Sequence, residues 1–264
     1  MVIEIHQLAA AFYLAASLAI LLGLALPGAR LVRAGILALV LGAVLHGLAF
    51  ARLHTLDPPP SLTHLPSAVS LMAWIAVVFA LVLSRRERLA SLAGLVAPFA
   101  FVGVFYAGIS LAERPEPLQP DAGSWPHLHV ILASAGLALL GIAGLAGLLF
   151  LAEDRRLKAK RPGGWSRRLP SLEALDRVNL TSLALGFPLL TLGVVTGVIW
   201  SQGMTGRLWA GDAHATWSAI AWAIYLVLVL ARFGIGWRGR EAAACAAAGF
   251  AFLLFAVVGV GAIT

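Results

Sequence analysis

Eight apolar runs divide this chain, at about 5–26, 34–51, 67–83, 91–112, 128–152, 179–201, 215–231 and 242–263, and none contains Asp, Glu, Lys or Arg. That pattern constrains the fold more than any other feature. A transmembrane helix needs roughly 20 consecutive apolar residues. Backbone groups in lipid must be satisfied within the segment or in a closed barrel, so runs of this length predict helices. The expected fold class is all-α: a polytopic membrane protein of eight transmembrane helices. Composition agrees, since 61% of residues are hydrophobic and 12% charged, where a water-facing domain carries about a quarter charged residues. The opening "MVIEIHQ" is acidic rather than basic, so the first run reads as a retained helix and not a signal peptide.

The cations set a direction. Sixteen of the nineteen Lys and Arg residues fall in the loops after runs one, three, five and seven; the other loops hold Arg52, Arg114 and Arg207. The positive-inside rule makes the rich side cytoplasmic and puts both termini on the outer, periplasmic side. The expected location is a bacterial inner membrane. The net charge of +7 is then a topology signal with some attraction to anionic membrane lipid, and no nucleic-acid partner is implied. The chain reads as a single domain, 1–264, whose one sizeable extramembrane feature is a basic cytoplasmic loop over 153–178. Ser171 is an N-cap candidate for a short surface helix there. No internal repeat stands out. One cysteine, Cys245, excludes a disulfide framework and a CxxC pair.

On this topology all seven histidines, His6, His46, His54, His64, His127, His129 and His214, lie on the outer side. His6, His54 and His64 read as interfacial side chains, because imidazole tolerates a water boundary. His46 lies within a run, roughly 9 Å below Arg52 at 1.5 Å per residue. An ionisable group at that depth is a functional candidate. Neutral imidazole ligates metals and takes the axial position on haem iron. His127 and His129 are two residues apart and point about 200° from each other on a helix. One is a candidate ligand and the other a bystander.

Tryptophans gather on the same side. The stretch "TGVIWSQGMTGRLWAGDAHATW" holds Trp200, Trp209 and Trp217 around Asp212 and His214. Aromatic faces beside a histidine suit a flat macrocycle, and Arg52 and Arg207 are candidates to pair with its carboxylates. Three classes follow. The first is a haem-handling membrane protein. The second is a divalent-metal transporter or its regulatory subunit using His129, His46 and His214. The third is a structural accessory subunit packed through small residues such as Gly193 and Gly197 in "GVVTG" and the stripe Gly141, Gly144 and Gly147.

The stretches "LHVILASAGLALL", "NLTSLALGFPLLTLGVVTGVIWSQGMTGRLWAGDAHATW" and "GWRGREAAACAAAGF" resemble the cytochrome c assembly family, with its CcsA-type, HemX-type and YpjD-type members. The family's Trp-rich loop reads roughly WGxxWxWDxxE. Here Trp209, Asp212 and Trp217 remain recognisable, Gly211 replaces the aromatic before the Asp, and no acid closes the motif. The histidine of span seven in CcsA-type members is absent. The resemblance implies non-covalent haem b at the outer face, with His129 as one axial ligand and His46 or His214 as the other. It implies a carrier or assembly factor with no catalytic residue of its own rather than a stand-alone synthase. Other cytochrome c maturation or haem-pathway membrane proteins would be its partners.

Overall fold

The structure, a computed structural model, describes residues 2–26, 29–53, 55, 62–85, 89–113, 124–160, 169–209, 211 and 213–263. Its α-helices are α1 Val2–Ala25, α2 Ala29–Leu53, α3 Leu65–Ser84, α4 Ala90–Glu113, α5 Trp125–Lys158, α6 Leu172–Thr205, α7 Ala213–Val229 and α8 Arg240–Ile263. A π-helical turn, Leu230–Ile235, prolongs α7. No strand occurs among the described residues. Seven stretches are long and apolar enough to cross a membrane: all or most of each of α1 to α6, and Ala213–Ile235. The protein is an all-helical, multi-pass membrane protein.

Two helices outrun the apolar runs that predicted them. α5 continues through "EDRRLK" to Lys158, and α6 begins at Leu172 and runs on to Thr205. The helix after Ser171 is therefore the start of a long helix and not a short surface one. The residues that end an apolar run do not end a helix: Glu, Arg, Leu and Lys are strong helix formers. Arg155, Arg156 and Lys158 in the last turn also complement the helix dipole. Lys158 Nζ reaches Asp154 Oδ2 at 2.8 Å, one turn back.

The helices group into two compact units, Met1–Pro120 with Ala159–Ser171, and Asp121–Lys158 with Leu172–Thr264. In the first, α1 and α3 each pack on α2 and α4; in the second, α5 and α7 each pack on α6 and α8. The order of packing is the same. His6 and His129 are each the fifth residue of the opening helix. Trp74 and Trp222 are each the tenth residue of the third helix and end the matching stretches "SLMAW" and "SAIAW". Trp74 Nε1 donates to the Ala43 carbonyl at 2.8 Å and Trp222 Nε1 to Thr191 Oγ1 at 3.0 Å, both across 31 residues. The two units thus share one order of helix packing, a structural repeat that the sequence reading did not single out.

Packing within each unit follows size complementarity. The twelfth residue of α1, Tyr13, lies against Gly42 of α2, where a Cβ would stand 2.8 Å from the ring. The twelfth residue of α5 is Gly136, whose missing Cβ would stand 2.5 Å from the backbone nitrogen of Leu190. In the first unit the glycine seats a ring, and in the second it lets the backbone of α6 approach α5. Gly144 and Gly147 face the backbone of α8 at Ala246 and Ala243, so the glycine stripe serves packing inside the unit.

The end of the second unit remote from His129 is pinned by a buried ion pair. Arg232, in the π-turn, donates from Nη2 to Asp176 Oδ2 at 2.9 Å and from Nη1 to the Trp237 carbonyl at 2.9 Å. The Gly239 amide donates to Asp176 Oδ1 at 3.2 Å. Their side chains are 5% and 27% exposed. Removing one member of such a pair strands the other charge. Arg232→Ala is expected to destabilise the unit by about 3–5 kcal/mol. Asp176→Ala/Arg232→Ala is expected to lose less than the two single losses added. Chemical unfolding in detergent, followed by tryptophan fluorescence, reads both.

Candidate functional site

Each unit brings a histidine near the start of its first helix to a second histidine of the same unit. In the first unit, His6 and His46 are fully buried and their rings meet edge to face at 5.6 Å. His6 is thus a core residue and not the interfacial one the sequence suggests. His46 Nε2 lies 2.8 Å from Ser70 Oγ, and Nδ1 lies 3.2 Å from the Tyr13 hydroxyl. Phe50, one turn along α2, stacks on His46 at 5.0 Å and 17°. Both nitrogens of His46 are engaged by hydroxyls, so this imidazole is a satisfied core group in the structure. His46 meets His6, a neighbour that the sequence reading did not assign.

In the second unit, His129 of α5 lies against α6. Its Nδ1 is 2.8 Å from the Gly193 carbonyl. A carbonyl only accepts, so Nδ1 carries the hydrogen, and in the neutral ring Nε2 keeps its lone pair. That is the arrangement in which a backbone acceptor orients a ligating imidazole. The ring of His214, from the first turn of α7, stands 6.2 Å from that of His129 at 83°. Trp200 of α6 stands 6.1 Å away on the same imidazole. The Trp200 indole nitrogen is buried without a hydrogen-bond partner. His214 is exposed, while His129 is part-buried.

Small residues make this possible. Gly193 and Gly197 both face α5: a Cβ at Gly193 would stand 2.8 Å from the Ala133 nitrogen, and one at Gly197 2.8 Å from His129 Nδ1. The "GVVTG" pair is where α6 meets α5 and its histidine. Thr196 Oγ1 also donates to the Gly193 carbonyl, at 2.9 Å.

Of the nine residues expected at a site, His129, His214 and Trp200 come together. Trp217 turns to α8, with its ring 6.1 Å from Phe252 and 5.6 Å from Phe255. Trp209 is half exposed in the segment after α6, and Arg207 is exposed beside it. Asp212 lies outside the described residues. Arg52 is exposed in the last turn of α2, in the first unit with His46. His127, two residues before His129, is part-buried. Among the described residues, no group of three or more His, Cys, Asp or Glu could hold a metal ion. The sequence reading missed His6, Tyr13 and Ser70, because which spans face one another cannot be read from hydropathy.

Fold and clusters together define a multi-pass membrane protein that holds imidazoles near the ends of its helices. The family model described as cytochrome C assembly protein matches residues 62–264, and the chain belongs to that family. It is 27% identical over 228 residues to the cytochrome c biogenesis protein CcsA of Prochlorococcus marinus (strain MIT 9303), covering 75% of this chain and 72% of that one. The CcsA protein of Chlamydomonas reinhardtii is 29% identical over 206 residues, covering 75% and 57%. That of Guillardia theta is 26% identical over 218 residues, covering 75% and 72%. The family match takes in His129, His214 and Trp200 and begins after His6 and His46.

The clearance at Gly197 is taken up by the His129 ring itself. Gly197→Ala is expected to push His129 from Gly193 and to destabilise the unit by about 1–3 kcal/mol. The unfolding midpoint in detergent measures this.

Proposed function

We propose that this chain binds haem b non-covalently through His129 and His214 and presents or regulates it for cytochrome c maturation. The observation that carries the reading is the contrast between the two imidazole pairs. His46 spends both nitrogens on Tyr13 and Ser70, whereas His129 spends only Nδ1 and keeps Nε2 available. Nitrogens ligate iron or zinc at about 2 Å. Two imidazoles that together held one metal ion would have ring centres roughly 6 Å apart, and the His129–His214 spacing is 6.2 Å. A haem macrocycle supplies four ligands of its own, so two histidines complete its iron where a bare divalent ion would want more. This favours haem over the divalent-metal reading, as does the family.

The residues present fit the group. Trp200 gives an aromatic wall beside His129, and its unpartnered indole N–H is a donor that a haem carboxylate would satisfy. Trp209 and Arg207 follow on the same connection, and Arg207 is a cation for the second carboxylate. Asp212 and Trp217 flank His214 in the chain and belong to the same proposed loop, with Arg52 as a further cation. Bound haem would be cargo, and this chain's part is to orient it and limit its exposure to water. Cys245 is its one cysteine, so the thiols that attach haem would come from other maturation proteins. We place this activity at the outer face of a bacterial inner membrane, with eight crossings and both termini outside, on the strength of the one-sided Lys and Arg distribution.

The full-length protein in detergent, titrated with haemin, is expected to develop a six-coordinate Soret band. His129→Ala and His214→Ala should each abolish it, and His127→Ala should leave it. Gly197→Ala keeps both ligands and should weaken uptake about 10–100-fold, as loss of a ligand's orienting bond does. An unchanged Soret band in His129→Ala would overturn the assignment.

A further inference from the structure

The first unit has a second feature that neither the histidines nor the family accounts for. A groove with a volume of about 570 Å³ runs between α2 and α3. Val40, Ala43 and Gly47 form one wall, Trp74 and Val78 the other, and Arg85 closes one end. The groove exists because Ala43 and Gly47 are small. The Trp74 ring lies over Gly47, where a Cβ would stand 3.3 Å from it, and its Nε1 is held by the Ala43 carbonyl. In the second unit Val195 stands where Gly47 stands, counted from the shared tryptophan. There Phe187 stacks on Trp222 at 6.0 Å and 27°.

We propose that this groove is a site for one anionic phospholipid, with an acyl chain along Trp74 and Val78 and its phosphate at Arg85. The lining is apolar except at one end, where Ser84 and Arg85 lie. Ser84 Oγ is already committed to the Ala80 carbonyl at 2.6 Å, so Arg85 is the group left to meet an anion. In the sequence it opens "RRER", with two further arginines adjoining. From Trp74 to Arg85 the helix rises about 16 Å. The hydrocarbon depth of one leaflet is about 15 Å, half the bilayer core. The groove therefore spans about one leaflet's acyl depth and ends at Arg85. No lining residue is a histidine, so haem iron would find no ligand here. The site is independent of the haem reading.

The test is native mass spectrometry of the full-length protein released from nanodiscs of equal phosphatidylglycerol and phosphatidylcholine. One phosphatidylglycerol is expected to remain per chain. Arg85→Gln should weaken its retention about fivefold, the equivalent of about 1 kcal/mol for one basic residue at a membrane surface. Val78→Trp fills the groove from a side chain that is 36% exposed, and should remove the lipid. Val40→Trp, from a lining side chain that is 40% exposed, is a second filling variant, should the first unfold. Haem uptake should be unchanged in both, which separates this proposal from the previous one. Equal retention in the filled variants, or no preference between the two lipids, would overturn it. So would a dimer that Val78→Trp dissociates, because a second copy would then occupy the groove.

Discussion

The contact of α5 with α6 at Gly193 is the interaction on which the second unit turns. Between apolar helices in lipid there is no hydrophobic drive to associate, so close packing and hydrogen bonds must hold them. Gly193 supplies both. Its missing side chain lets α6 approach the backbone of Ala133. Its carbonyl receives the His129 Nδ1–H and the Thr196 hydroxyl. The bond that helps hold the helices is thus the bond that fixes the tautomer of the candidate ligand. Gly197 and Trp200 follow at intervals of four and three on the same face, so one stripe of α6 carries the seat, the clearance and the aromatic wall of a single imidazole.

The repeat explains why two similar histidine clusters differ in chemistry. Both units open with a histidine at the fifth residue of the first helix. In the first unit the second imidazole comes from α2, where the second unit has Val194. Tyr13 and Ser70 then engage both nitrogens of that imidazole. In the second unit the residue matching Tyr13 is Gly136, and the second imidazole arrives from the exposed first turn of α7. One scaffold therefore gives a closed polar core in one copy and an accessible pair in the other. Hydrogen bonds at both ring nitrogens of His46 rigidify what surrounds it, a structural role for this imidazole.

Hydropathy made the helices legible because a bilayer demands the same thing of every span. It made α5 and α6 too short, because charges end an apolar run without ending a helix. His129 was legible as a candidate from its place at the head of a run and from the family resemblance. His6 was not, since burial of a residue one turn into a helix depends on which neighbours that helix meets. The repeat was hidden for a related reason. Its identities are few, and the rest of each helix is Leu, Ala, Val and Gly, interchangeable to the bilayer and not to the packing. Gly42 of α2 faces the Tyr13 ring and Gly136 of α5 faces the Leu190 backbone, so the glycine changes helix between the units, and a sequence comparison scores the positions as mismatches.

The Trp-rich loop departs from its family pattern in a way the backbone accounts for. Gly211 stands where the pattern has an aromatic residue, and its φ is +75°. A side chain at that position would be strained in the left-handed region. Glycine is the residue that this backbone accepts without strain. Trp209, just before it, is half exposed, and Trp217 is committed to Phe252 and Phe255 of α8. The aromatic surface that remains beside His129 is Trp200, on a helix whose position Gly193 sets. A wall on a helix holds a flat ligand with less freedom than a wall on a loop. In the proposed haem site the rigid face would accordingly be Trp200, with Trp209 and Arg207 on the connection that follows it.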